Sequence, residues 1–172
     1  MKKILLLLVT FFYTLIASPL QDAIDNAKEG SILRLNDGIY RGKIVINKPL
    51  TLLGVGKSVI IDGEGEGTVI AIKSSFVTIK NITIQNSGDR HDKLDSAITI
   101  ADAKQCEVSN CKIRDCLFGI DMQMVNNSII SNNTITSKDF DLGLRGDGLR
   151  LWYSNDNIVR KNITSKLKSN VF

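Results

Sequence analysis

Proline occurs only twice in the 172 residues, histidine and tryptophan once each, and aromatic residues make up 6%. So little proline, with 13 glycines, excludes a collagen-like or low-complexity chain. So few rings leave a core that must be built from Ile, Leu and Val. The single histidine, His91, has no Gly-His-Gly context around it. Three cysteines, none in a C-x-x-C pair, exclude a standard zinc or dithiol motif, and one disulfide would leave a thiol over. Basic residues are scattered without a run, which sets nucleic acid aside as a partner.

Long apolar stretches are also missing, with one exception. Lys2 and Lys3 precede an apolar segment from Ile4 to Ala17, and the small residues Ala17 and Ser18 close it. That layout predicts a secretory signal peptide over 1–18, ahead of a domain over 19–172. Without Lys2 and Lys3 the formal charge falls from +4 to +2, so the working chain is less basic than its composition.

What is present in quantity is repetition. Ile79 to Ile84, Val108 to Ile113 and Ile130 to Ile135 each read aliphatic, then Asn two positions on, then Ile at the fifth; a weaker copy starts at Val159. The starts are 29, 22 and 29 residues apart. A second apolar alternation follows each of the first three copies, at Ala97–Ile100, Gly119–Met122 and Gly148–Leu151. The unit is a coil of about 22 residues, and alternate coils carry insertions near 87–96 and 137–147. Short β segments joined by Asn-bearing turns, with no helical period inside the repeat, predict an all-β solenoid of the parallel β-helix type. Asn81, Asn110 and Asn132 are expected to point inward as an amide ladder. Leu20, Ala23, Ile24 and Ala27 share a helical face, so residues 20–28 are expected to form a helix capping the first coil. The chain stops inside a repeat without a comparable cap, which predicts a solenoid incomplete at its C-terminus.

Aligning the second strands places Ile98, Ile120, Leu149, Ile100, Met122 and Leu151 inward. Thr99, Asp121 and Arg150 then stack outside, as do Ala101, Gln123 and Trp152. Two readings of this face stay open. Asp121 and Arg150 could form a weak surface ion pair, or the face could be a recognition patch, because Trp and Arg are favoured anchors. Cys106, Cys111 and Cys116, with His91, Met122 and Met124, form a soft-ligand set that would suit Cu(I). Their spacing, the ordinary core slot of Met122 and the habit of free cysteine to behave as a small buried hydrophobe favour structural thiols. A carbohydrate-binding or polysaccharide-cleaving protein is the rival reading. Asp121, Asp147, Glu107 and Arg150 are its candidate groups, but no two carboxylates share a column of the displayed face.

The run "LRGDGLRLWYSNDN" followed by "IVRKN", with the entry "DGIYRGKIVINKPLTLLGVGKSVIIDGEGEGTVI", resembles the NosD-type accessory proteins of nitrous-oxide reductase. The resemblance implies a right-handed β-helix, located in the periplasm, that is not an enzyme. It further implies work in copper-centre assembly with a membrane ABC transporter, a copper chaperone and nitrous-oxide reductase itself. No catalytic residue is carried over. The docking surface expected from the residues is Arg145, Asp147, Arg150, Trp152 and Tyr153.

Overall fold

A computed structural model describes residues 18–169 and 171 of the chain. The expected signal segment falls on residues outside these, apart from Ser18. The described residues open with helix α1 (Pro19–Asn26), which starts one residue earlier and ends two residues earlier than the apolar spacing predicts. Its start is set by local chemistry: the Ser18 hydroxyl accepts the Gln21 N–H at 3.1 Å, and Pro19 needs no helical hydrogen bond at the first position. Ala27 then leaves helical geometry and ends it.

The first coil holds β1 (Ser31–Leu35), β2 (Gly38–Arg41) and β3 (Ile44–Ile46), and the second β4 (Leu50–Gly54), β5 (Val59–Asp62) and β6 (Ile70–Ile72). The third has β7 (Thr78–Lys80), β8 (Thr83–Gln85) and β9 (Ser96–Ala101), and the fourth β10 (Glu107–Ser109), β11 (Lys112–Cys116) and β12 (Phe118–Gln123). The fifth has β13 (Ile129–Ser131), β14 (Thr134–Ser137) and β15 (Leu149–Trp152), and β16 (Ile158–Arg160) and β17 (Ile163–Ser165) begin a sixth. Among the described residues, equivalent strands pair in parallel, giving two six-stranded sheets and one five-stranded sheet around a shared interior. The architecture is therefore the expected parallel β-helix.

Registers follow the sequence repeat. Val108 pairs with Ile79 on one side and Ile130 on the other, and Ile130 pairs with Val159. Leu52, Ile79, Val108 and Ile130 make one fully buried column, and Ile61, Ile84, Ile113 and Ile135 make another. Each fully buried Leu or Ile contributes about 1.5–3 kcal/mol relative to exposure.

The asparagines are arranged differently from expectation. Asn81, Asn110 and Asn132 are exposed at the corner between the first two strands of their coils, with φ of 57°, 55° and 56°. They recur because Asn tolerates the left-handed turn that the corner needs. The inward amide column lies one residue later: Asn133 Nδ2 donates to Asn162 Oδ1 at 3.0 Å and to the Val108 carbonyl at 3.0 Å, while its Oδ1 accepts the Cys111 N–H at 2.9 Å.

Helix α1 covers the first coil, with Leu20 and Ile24 inside the core. Gln21 closes the free edge of β3, its amide oxygen accepting the Val45 N–H at 2.7 Å and its Nε2 donating to the Val45 carbonyl at 3.2 Å. The two insertions lie between the second and third sheets and meet across the short fourth coil. His91 Nε2 lies 3.0 Å from the Leu144 carbonyl, Lys138 Nζ is 2.8 Å from Asp89, and the His91 and Phe118 rings pack edge to face.

Candidate functional site

The outer face of the third sheet carries the feature that a regular coil does not require. Thr99, Asp121 and Arg150 stack in register across β9, β12 and β15, and Ala101, Gln123 and Trp152 form the next outward column. Yet Asp121 is only 1% exposed. The surface-pair reading is therefore corrected: the carboxylate lies beneath its neighbours, where the discount for exposed ion pairs does not apply.

Gln123 Nε2 donates to Asp121 Oδ2 at 2.6 Å. Arg150 Nη1 lies 3.6 Å from Asp121 Oδ1, and neither of those two buried atoms makes a hydrogen bond. Burial pushes the Asp121 carboxyl above the ordinary carboxylate range, against the Gln123 hydrogen bond and the Arg150 charge, which both act to lower it. The Arg150 side chain is 18% exposed, so the guanidinium covers the carboxylate and presents its remaining surface outward.

Beyond this pair the face becomes apolar and open. Trp152 and Tyr153 are 49% and 76% exposed, with ring centroids 5.2 Å apart in an edge-to-face arrangement. Tyr153 sits at φ 47°, in the turn that ends β15, with its ring against that of Trp152. Met124, beside it on the preceding coil, is also exposed, and its N–H donates to the Trp152 carbonyl at 2.9 Å.

Of the expected docking residues, Arg150, Trp152 and Tyr153 share one strand and its closing turn. Arg145 and Asp147 are half-buried in the insertion leading to β15. Arg145 Nε is held by the Phe140 carbonyl at 2.6 Å, and the Asp147 carbonyl accepts the Gly119 N–H. Sequence reasoning put Gln123 on this face without assigning it a partner. The available signal was its position two residues from Asp121 on the same side of a strand.

The soft-ligand set is not brought together. Cys106, Cys111 and Cys116 occupy three successive corners of the fourth coil, all buried. Their thiols face separate carbonyls, those of Ser74, Ser109 and Arg114 at 3.5, 3.4 and 3.3 Å. Burial pushes the Cys111 and Cys116 thiols up to about 11 and about 12, and raises Cys106 as well. Met122 is a core side chain, Met124 is on the surface, and His91 lies in an insertion. Among the described residues no cluster of three or more His, Cys, Asp or Glu side chains is disposed to hold a metal, so this donor set does not fit a copper centre. The candidate acids are likewise dispersed. Glu107 is on the first sheet, paired with Lys80 at 2.9 Å, while Asp121 is on the third.

Residues 61–170 match a family described as the right-handed β-helix region. The chain belongs to the right-handed β-helix family. Within that family's fold, it is 28% identical over 135 residues to a probable ABC transporter binding protein NosD of Pseudomonas aeruginosa, an alignment covering 74% of this chain. The chain spans only 30% of that relative's length. Among solved structures, a pectin methylesterase from Yersinia enterocolitica superposes with a TM-score of 0.52 at 15% identity, over 84% of this chain and 66% of the other. At that identity the likeness concerns the β-helix fold alone.

Proposed function

We propose that this chain is a NosD-like β-helix scaffold that docks onto a membrane ABC transporter and serves the assembly of a copper enzyme, nitrous-oxide reductase, without catalysing a reaction itself. The observation that carries this reading is the 28% identity over 135 residues to the NosD relative, whose name describes ABC transporter binding. The geometry is consistent with it. Trp152 and Tyr153 form an exposed aromatic pair beside a partly covered arginine, the residue types that anchor protein interfaces. The reading places the protein in the periplasm, with a copper chaperone and the reductase as further members of the system. Copper then passes through those members, because the three cysteine thiols of this chain are individually buried and face separate carbonyls.

The test is co-purification of the chain with the solubilised transporter, run in parallel with incubation on polysaccharide. Retention on the transporter with no release of sugar fragments supports the scaffold. Release of fragments that stops with Asp121→Asn or Asp147→Asn would install the carbohydrate-active reading instead.

A further inference from the structure

Asp121 makes no sense as an ordinary rung of the third sheet. The equivalent outward positions on β6 and β9 are Ala71 and Thr99, small groups that cost little to cover. Asp121 instead brings a carboxylate to a site only 1% exposed, where an ionised group is costly unless a charge and hydrogen bonds compensate. Its compensation comes from two directions. Gln123, two residues along on the same face, donates at 2.6 Å, and Arg150, in register on the next coil, lies across it. Each supporter adjoins the aromatic surface, since Gln123 is the register partner of Trp152 and Arg150 is two residues before it on β15.

The contact with Arg150 is long and lacks a hydrogen bond, so it holds the guanidinium by charge rather than by a fixed fork. Thr99 on β9 and Gln123 on β12 are uncharged, and the charge acting on Asp121 is that of Arg150 on β15. Met122, between Asp121 and Gln123, points into the core and takes no part.

We propose that Asp121 is a positioning residue for the docking face: from beneath, it holds Arg150 over the third sheet and orients the Gln123 amide beside Trp152, so that the displayed surface is pre-arranged before a partner arrives. This rests on the reading of the face as a docking surface. Neutralising Asp121 releases Arg150 and turns the Gln123 amide away, while the coil beneath is unchanged.

Trp152 is the sole tryptophan, so its fluorescence reports on this surface without labelling. In the full chain, Trp152 emission is followed from acid to neutral pH, with far-UV circular dichroism recorded on the same samples. The expected result is a sigmoidal change at constant circular dichroism, with its midpoint above the ordinary carboxylate range. It should disappear in Asp121→Asn and persist in Asp121→Glu. In Arg150→Met the midpoint should move to higher pH, because the opposing charge is gone. A flat wild-type profile, an Asp121→Asn profile that matches wild type, or an Arg150→Met midpoint that does not move each overturns the proposal. Transporter binding at neutral pH is measured separately with Trp152→Ala, so a failed titration with intact, Trp152-dependent binding removes the positioning role and leaves the docking reading standing.

Discussion

At the scale of single residues, the third sheet buries the Asp121 carboxylate beneath the Arg150 guanidinium. Removing the guanidinium in Arg150→Met leaves the Asp121 carboxylate buried without its cation, and such uncompensated charges typically cost about 3–5 kcal/mol. Removing both in Asp121→Asn with Arg150→Met should cost clearly less than Arg150→Met alone, as read from chemical unfolding midpoints. The pH dependence has a definite sign. Asp121 holds its proton more tightly folded than unfolded, so stability falls as pH rises from the ordinary carboxylate value through the raised one. Asp62 runs the other way. Burial pushes it up but is outweighed by hydrogen bonds from Gln85, the Glu64 N–H and Asn86, leaving it lowered, so its contribution is lost as pH falls. The thiols carry a simpler prediction. Cys106, Cys111 and Cys116 should resist alkylation at neutral pH in the folded chain and react together on unfolding; rapid labelling of the native protein would contradict their burial. The repeat alignment placed Asp121 on the outer face, but it did not reveal that the carboxylate is covered. Alternation along a strand tells which side a residue is on, and only the neighbouring Gln123 and Arg150 decide whether that side is wet.

Among the elements, the corners between strands were the hardest to read. The three Asn-bearing repeats were visible in the sequence, and their register survives intact in the structure. The direction of the side chains was not, because Asn serves equally well as a left-handed turn residue and as an inward amide, and adjacent Asn132 and Asn133 do one each. The two roles separate on mutation. Asn132→Gly keeps a residue at ease at φ 56° and should be close to neutral. Asn133→Ala leaves the buried Cys111 N–H without its side-chain acceptor and the Val108 carbonyl without that donor. Unsatisfied buried groups cost roughly 1–3 kcal/mol each, so a thermal melt should place Asn133→Ala well below both wild type and Asn132→Gly. Equal melting temperatures for the two variants would refute the assignment. Helix α1 was legible from its apolar spacing, but its start depends on the Ser18 cap, which the sequence reading had left with the segment before it.

For the whole molecule, the alternation of 22- and 29-residue steps proved the most informative feature of the chain. It set the stacking register, and it located the two insertions that meet across the short coil through His91, Leu144, Asp89 and Lys138. That contact was not foreseeable, because the insertions have no shared pattern and are 53 residues apart at His91 and Leu144. The β-helix itself was foreseeable, since stacked coils bring an aliphatic side chain to the same core positions turn after turn, as at Leu52, Ile79, Val108 and Ile130. Function is less directly encoded. The fold hosts many chemistries, and only the surface it displays can separate them. Under the docking reading proposed above, that surface is the Arg150–Trp152–Tyr153 edge, next to the covered Asp121 carboxylate and its Gln123 donor.

The most direct test of the scaffold account is the affinity of the full chain for the solubilised ABC transporter, compared between wild type and Trp152→Ala. Trp152 is half-exposed and supports no core column, so the variant should melt like wild type. The account predicts binding by wild type and a loss of about 2 kcal/mol, roughly thirty-fold, in the variant. Equal affinities would show that the displayed edge is not the docking surface, and absence of binding by wild type would contradict the scaffold role itself.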